Sequence, residues 1–292
     1  MTRIVGSLAE VSDAYDAMFV DLWGCVHDGL RPLPGAVEAL QAYRARGGTV
    51  ILVTNAPRPR GSVADQLDRI GVARDAWDDI ATSGDSARVA MFTGAIGTRV
   101  FHMGLWPTDA PFFEPPSILE APVAVERVAL DAAEGIACTG PFDPLADPET
   151  LRPQLLAAKV RGLPLLCANP DIVVDRGEVR EWCAGAVAKL YEEMGGTSLY
   201  FGKPHPPIYD LARRRLAQVR DVPDGRILCV GDGIRTDVAG ARGEDLDALF
   251  LSGGLAAAET GTAPGGDPEP ERLAAFLAAA GMDPGFVMGT LR

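Results

Sequence analysis

The residues with the means to do chemistry fall at the ends of apolar runs. Asp21 closes Ala17-Met18-Phe19-Val20, and Asp232 closes Ile227-Leu228-Cys229-Val230-Gly231, with Asp237 a little further on. Thr54 and Asn55 close Thr49-Val50-Ile51-Leu52-Val53, and Lys203 stands between Gly202 and Pro204. Apolar runs of this length, bounded by polar residues and glycine, read as buried strands. If such strands lie parallel in one sheet, their carboxyl ends share an edge, and that edge is where open α/β sheets bind ligands. Grouped there, the set is two or three carboxylates, a hydroxyl, an amide and one lysine. Hard oxygen donors of this kind suit Mg²⁺, which takes one or two carboxylates together with water and substrate phosphate. The lysine and nearby backbone amides can neutralise a phosphoryl group. An aspartate so placed can attack phosphorus and form an acyl-phosphate.

The elements that must position these groups follow from the pattern between them. A short helix is expected after Ser7, which can cap it. Leu33-Pro34-Gly35 leads into a helix with Val37, Leu40 and Tyr43 on one face, and Gly47-Gly48 ends it. A second helix runs from about Arg60 to Ile70 and closes at Gly71. Strand, helix, strand, helix at this spacing predicts a parallel sheet with right-handed crossovers. Ile80 to Ser83 is a short strand, and Gly84 to Phe92 a helix.

From about Thr98 the texture changes. Arg99 to Met103, Val123 to Leu130, Ile136 to Thr139 and Leu163 to Ala168 are strand candidates, with a helix from Asp147 to Arg161. Residues 105–122 hold Pro107, Pro111, Pro115, Pro116 and Pro122 and read as irregular loop. Residues 98–199 therefore form a second α/β module, placed between two halves of the first, 1–97 and 200–292. The later half holds a helix from about Pro207 to Gln218, a further helix from Thr236-Asp237, a strand from Ala248 to Gly253, and a C-terminal helix from about Glu271 to Ala280.

Bulk properties narrow the class. The chain has 292 residues, 47% hydrophobic and 23% charged, the composition of a globular protein. Its formal net charge of −13 argues against a nucleic-acid surface or an anionic membrane, both of which call for basic patches. It leaves room for an anionic small substrate, because a bound divalent cation reverses the local sign. The five cysteines, Cys25, Cys138, Cys167, Cys183 and Cys229, show no CxxC spacing and suit reduced, buried thiols in the cytoplasm. No basic, apolar leader and no membrane-length apolar run is present.

The order Asp21, Thr54-Asn55, Gly202-Lys203-Pro204 and Gly231-Asp232 with Thr236-Asp237 resembles the haloacid dehalogenase-like superfamily of aspartate-nucleophile phosphatases. More narrowly it resembles the branch of NagD-type sugar phosphatases and p-nitrophenyl, pyridoxal and phosphoglycolate phosphatases. In that branch a large α/β cap is inserted between the second and third motifs, where residues 98–199 lie here. Thr82-Ser83, Asn169-Pro170-Asp171 and Cys183-Ala184-Gly185-Ala186 extend the likeness. The resemblance implies a Rossmann-like α/β core with that cap, a Mg²⁺ cofactor, and a small phosphorylated metabolite such as a sugar phosphate as substrate. It also implies association as a homodimer through the cap. Residue by residue, it implies Asp21 as nucleophile and metal ligand, and the backbone carbonyl of Trp23 as a second ligand. Thr54 and Asn55 would hold phosphate oxygens. Lys203 would pair with Asp21 and the phosphoryl group. Asp232 would ligate the metal, Asp237 would support the metal shell or Lys203, and Asn169 and Asp171 would lie near the leaving group.

One position departs from the pattern. The family usually has a second aspartate where this chain has Trp23, and that aspartate protonates the leaving alcohol and then activates water. An indole does neither, and losing a positioned acid/base lowers a rate by ~10²–10⁴-fold. His27 and Asp28, in the segment that follows, are the candidates to supply the proton. Two other readings stay open: a weakened phosphate-binding or regulatory protein that keeps the metal site, and phosphoryl or phosphonate chemistry with another leaving group.

Overall fold

The computed structural model describes residues 2–176 and 179–292. The chain forms two compact units. One comprises residues 1–54, 64–81 and 209–292, and the other residues 55–63 and 82–208.

The first unit is built on a seven-stranded sheet in the order Arg3–Ile4, Phe286–Met288, Asp247–Leu251, Ile227–Gly231, Ala17–Val20, Thr49–Thr54, Asp79–Thr82. The pairings from Arg3–Ile4 through Thr49–Thr54 are all parallel. The central strands are apolar at successive positions because both faces of the sheet are covered: Ala17, Met18, Val20, Val50, Ile51 and Leu52 are fully buried. The Ala36–Ala45 helix starts after Gly35, at φ +82°, and buries Val37, Leu40 and Tyr43. Tyr43 fixes how the chain returns to the sheet. Its ring lies where a Cβ on Gly48 would sit, 2.3 Å away, and its hydroxyl donates to Tyr15 O at 3.1 Å. Leu40 is fully buried in this layer, so truncating it to alanine is expected to cost ~2–5 kcal/mol.

The expected helix after Ser7 is two short 3₁₀ turns, Leu8–Glu10 and Ser12–Ala14. Glu10 reaches back to the N–H groups of Gly6 and Ser7 and ties the first turn down. The strands Arg3–Ile4 and Phe286–Met288 carry little sequence signal. They are short elements at one side of the sheet, Arg3–Ile4 at its edge and Phe286–Met288 between that strand and Asp247–Leu251. The helix expected at Thr236 begins instead as a π-type turn over Ile234–Val238 and continues as Ala239–Gly243.

The second unit has a five-stranded sheet in the order Thr197–Tyr200, Pro164–Cys167, Gly135–Cys138, Arg99–Met103, Glu126–Arg127, parallel throughout. Its strands alternate between two cores. Ile136, Cys138, Leu165 and Cys167 pack with Leu155, Val187 and Tyr191, while Ala137, Leu166 and Ala168 pack with Met91, Phe92 and Phe112. That is period-two alternation with both faces apolar. The strand expected over Val123 to Leu130 shrinks to Glu126–Arg127, an edge element preceded by the proline-rich stretch. The hairpin of Val173–Arg176 and Val179–Trp182 and the Ala184–Glu193 helix are additions to the sequence reading; the hairpin's charged residues hide its pattern. All five cysteines are free and buried. Among the described residues, no helix is long and apolar enough to cross a membrane.

Candidate active site

In the first unit, register brings the two principal carboxylates together. Ala17–Val20 and Ile227–Gly231 run in parallel with Val20 opposite Val230, and the Asp21 N–H donates to Val230 O at 2.8 Å. Asp21 and Asp232 therefore leave the sheet side by side. Both are buried, at 9% and 4% exposure. With Cys25 they form a cluster whose ligand atoms all lie within 4.8 Å of one another. The Cys25 thiol lies 3.9 Å from Asp21 Oδ2. The sequence marks Cys25 only as a buried thiol, and its place beside the nucleophile candidate becomes visible once the following turn is folded. Leu22 O accepts from the N–H groups of Cys25, Val26 and His27, which winds that turn tightly under the strand end.

Glycine makes the approach of Asp232 possible. A Cβ on Gly24, at φ +73°, would lie 2.3 Å from Asp232 Oδ2, and one on Gly254 would lie 2.0 Å from it. Leu255 N donates to the same oxygen at 3.0 Å. Gly24 belongs to the opening motif, but nothing in the sequence marks Gly254 or Leu255.

Asp237 lies outside the three-residue cluster. Its Oδ2 accepts from Gly233 N at 3.0 Å and from Thr236 Oγ1 at 3.3 Å, closing the loop that carries Asp232. Gly231 is required there, since a Cβ on it would meet Asp237 Cγ at 2.1 Å. Thr54 is buried at the end of its strand.

Trp23 packs sideways onto its own loop. Its ring meets the His27 imidazole edge-on, 5.4 Å between centroids at 77°, and covers Gly29, where a Cβ would lie 2.3 Å from the indole. His27 is buried, and its Nδ1 accepts from Gly29 N at 2.9 Å. In the neutral ring the proton is thus on Nε2. Asp28 does different work. Its Oδ1 accepts from Leu30 N and Arg31 N, both at 2.9 Å, and its Oδ2 pairs with Arg31 Nε at 3.4 Å. The Leu30 and Arg31 N–H bonds, with the Arg31 charge, hold its carboxyl below the usual carboxylate range. Of the two candidate proton donors, Asp28 is the one held ionised.

In the second unit, Asn55 clamps Lys203. Its Oδ1 accepts from Lys203 N at 2.7 Å, and its Nδ2 donates to Lys203 O at 3.2 Å and to Asp171 Oδ1 at 2.8 Å. Both amide protons and the carbonyl are therefore engaged by protein. The expectation that this side chain holds phosphate oxygens does not match that arrangement, and only the Asn55 backbone remains for such a role. Lys203 is buried at 3% exposure. Gly202 precedes it because a Cβ there would meet Asn55 Oδ1 and Pro170 Cδ, both at 2.5 Å. Asn169 Oδ1 accepts from Asp171 N at 3.0 Å, a turn that presents Asp171 to Asn55. Gly185, inside the Cys183-Ala184-Gly185-Ala186 stretch, lets the Ala184–Glu193 helix sit against that turn, for a Cβ on it would meet Pro170 O at 2.1 Å. Thr82 caps the Ser83–Phe92 helix by accepting from Asp85 N at 2.9 Å.

The chain matches the haloacid dehalogenase-like hydrolase family over residues 18–108 and a second HAD-hydrolase-like family over residues 200–280. A hydrolase of the haloacid dehalogenase-like family from Brucella suis superposes with a TM-score of 0.84 at 39% identity, covering 99% of this chain and 100% of that one. The chain belongs to the haloacid dehalogenase-like hydrolase family. Within reach of it by sequence is D-glycerol 3-phosphate phosphatase of Mycobacterium tuberculosis, 27% identical over 252 residues, which span 85% of this chain and 66% of that protein. The glycerol phosphate phosphatase from that organism, solved in complex with magnesium, shares the fold at a TM-score of 0.66 and 24% identity, covering 88% of this chain and 75% of that one.

Proposed function

We propose that this hydrolase is a Mg²⁺-dependent phosphatase of a small phosphorylated metabolite, a sugar or polyol phosphate, working through an aspartyl-phosphate on Asp21. The observation that carries the reading is the pair of buried carboxylates, Asp21 and Asp232, within 4.8 Å of each other at adjacent strand ends. Two like charges so close and so dry repel unless a cation or proton stands between them. The donor set fits a hard divalent ion: carboxylate oxygens converge, and the one thiol at hand is turned to Asp21 Oδ2. Asp21, Asp232 and the Trp23 carbonyl would hold Mg²⁺, which when bound supplies neutralising charge to the phosphoryl oxygens. The related phosphatases support the substrate class.

On this reading an Asp21 oxygen attacks phosphorus, the ester P–O bond breaks, and the departing alkoxide, the stronger base, takes the Nε2 proton of neutral His27 and leaves an imidazolate. Water then attacks the phosphorus of the acyl-phosphate, freeing Asp21 and inorganic phosphate, and the imidazolate takes the water's proton and returns to the neutral ring. Lys203 is assigned the phosphoryl charge. Asn169 and Asp171 are assigned the leaving group, in an inserted cap of residues 98–199 that also carries self-association. The reduced cysteines support a cytoplasmic setting.

The test is hydrolysis of p-nitrophenyl phosphate and of a panel of sugar and polyol phosphates, with and without Mg²⁺. Turnover that disappears in Asp21→Asn sustains the reading. The packing of Trp23 onto His27 and Gly29 favours a second one, in which the metal and phosphate site persists and turnover is lost. Tight binding of a beryllofluoride–Mg²⁺ complex with no turnover on any ester would select it.

A further inference from the structure

The second unit contains a pocket that none of these roles uses. It has a volume of about 270 Å³ and is lined by Phe101, His102, Arg127, Val128 and Ala129. Its place in the sheet is informative. The Arg99–Met103 strand lies between Glu126–Arg127 and Gly135–Cys138. The pocket's lining comes from Arg99–Met103 and from Arg127 and the two residues after it, so the pocket opens at the carboxyl ends of the two parallel strands at this edge of the sheet, the end at which parallel sheets bind ligands. His102 lies near the end of Arg99–Met103 and Thr139 directly follows Gly135–Cys138, and their side chains meet at 3.0 Å.

The lining groups are built for an anion. His102 is buried and held from one side only. Thr139 Oγ1 donates to Asp109 Oδ2 at 2.6 Å, and His102 Nε2 lies 3.0 Å from Thr139 Oγ1 and 3.3 Å from Asp109 Oδ2. The ionised carboxylate and the already donating hydroxyl make Nε2 the proton-bearing nitrogen. Nδ1 has no hydrogen-bond partner among the described residues. Arg127 stands out in a chain of net charge −13, because its guanidinium has no carboxylate partner among the described residues. It is stacked over the Trp106 ring, 3.7 Å from the centroid, and that ring is packed in turn against Phe113 and His102. Stacking fixes the plane of the guanidinium and leaves its N–H fork available. A fixed fork matches the two oxygens of a carboxylate or phosphoryl group.

We propose that this pocket binds a small organic oxyanion. Arg127 takes its carboxylate or phosphoryl oxygens. His102 Nδ1 accepts from a ligand hydroxyl. Phe101 and Val128 supply apolar surface for the ligand's body, and Trp106 holds the guanidinium from behind. The volume, just below the usual ~300–1,000 Å³ of ligand sites, restricts it to molecules of metabolite size. The site is independent of the reaction assigned to Asp21.

The experiment uses the full-length protein stripped of metal with EDTA. It is titrated with phenylphosphonate, which no phosphatase can hydrolyse as an ester, and separately with inorganic phosphate and with benzoate. Binding is followed by calorimetry and by tryptophan fluorescence. The wild type is expected to bind at least one of the three, and Arg127→Gln to weaken that binding tenfold or more with an unchanged thermal midpoint, since Arg127 is exposed. His102→Asn should weaken it as well, and Trp106→Phe should abolish the fluorescence change. The pattern across the probes separates a phosphoryl ligand from a carboxylate and free phosphate from an organic one. Absence of binding by the wild type, or equal binding by Arg127→Gln, overturns the proposal.

Discussion

Three glycine-to-alanine variants separate the two ways in which a side chain could disturb the Asp232 carboxylate. Gly47 has φ +89°, and an added Cβ would have nothing within 4 Å, so Gly47→Ala adds left-handed strain and no contact. Gly254 carries no such φ, and its Cβ would lie 2.0 Å from Asp232 Oδ2, so Gly254→Ala adds contact and no strain. Gly24 combines φ +73° with a Cβ 2.3 Å from the same oxygen. A left-handed residue other than glycine costs ~1–2 kcal/mol, which lowers the thermal midpoint by about 2–4 °C per kcal/mol in a unit of this size. Gly47→Ala should show that shift alone. In Gly254→Ala the Cβ would meet Asp232 Oδ2 at 2.0 Å, against 3.4–4 Å for ordinary contact, so the carboxylate must move by more than about 1 Å, which also breaks its bond from Leu255 N. A displacement of that size at a reacting centre can cost ~10²-fold in rate. On the proposed Mg²⁺ site, Gly254→Ala and Gly24→Ala are therefore expected to lose most of the thermal stabilisation that Mg²⁺ should give the wild type, and about 10²-fold in kcat/KM. Gly47→Ala should keep both. The assays are melting with Mg²⁺ and with EDTA, and initial rates on p-nitrophenyl phosphate against Mg²⁺ concentration. Wild-type Mg²⁺ stabilisation in Gly254→Ala would refute the claim that glycine at these positions makes room for a metal-binding carboxylate.

Other outcomes follow from single contacts. Asn55→Ala removes three hydrogen bonds between the Asn55 side chain and Lys203 and Asp171; turnover should fall by about 10²-fold with KM changed less, and an unchanged kcat would show that Lys203 needs no such clamp. His27→Gln should slow the first, alcohol-releasing step on an unactivated alkyl phosphate by ~10²-fold or more and the nitrophenol burst from p-nitrophenyl phosphate far less, because nitrophenolate leaves without a proton, while the later hydrolysis of the acyl-phosphate slows for both. Asp28→Asn should leave both rates at neutral pH within a few-fold, the carboxyl being ionised there already; a nitrophenol burst slowed as much as alcohol release in His27→Gln would remove histidine from protonation of the leaving group. Burial pushes the Asp109 carboxyl up, and the bonds from His102, Thr139 and Leu105 N–H more than offset it, so its folded pKa lies below the usual value. A depressed carboxylate pKa gives stability that is present above the unfolded pKa of about 4 and is lost as pH falls through the folded one. The stability gap between wild type and Asp109→Asn should accordingly close on acidification below about pH 4, and a gap independent of pH would contradict the pairing.

Much of the first unit was legible because its strands are buried on both faces. Ala17–Val20, Thr49–Thr54 and Ile227–Gly231 are buried at every position and almost wholly apolar, and such runs survive any uncertainty of register. The same property singled out Asp21 and Asp232, but a carboxylate that closes an apolar run can equally cap the next turn, and it was their order with Thr54-Asn55, Lys203 and Asp237 that favoured a chemical role. Edge strands carry no such signal: Glu126–Arg127 is charged, and Arg3–Ile4 is two residues long. The partners of the site residues were illegible for a different reason. Nothing local to Gly254 or Leu255 mentions Asp232, and nothing local to Asn55 says that its amide will be used by Lys203 rather than by a ligand. Such contacts join residues far apart in sequence and exist only after both strands are in register.

Trp23 is where these two kinds of information meet. From sequence it is a loss, the missing acid/base of a familiar pattern. In the folded loop it is also a packing residue, because the indole holds Gly29 and the edge of His27. The substitution and the imidazole are therefore coupled. Trp23→Asp would supply a carboxylate and, in the same step, withdraw the ring that positions His27. If the imidazole is the working proton donor, Trp23→Asp should gain little on alkyl phosphates and the double variant with His27→Gln should recover what the single variant loses. If the histidine only packs, Trp23→Asp alone should raise turnover by a large part of the ~10²–10⁴-fold that a positioned acid/base contributes. Rates of the two single variants and the double variant on one alkyl phosphate decide between them, because coupling between residues in contact appears as non-additivity.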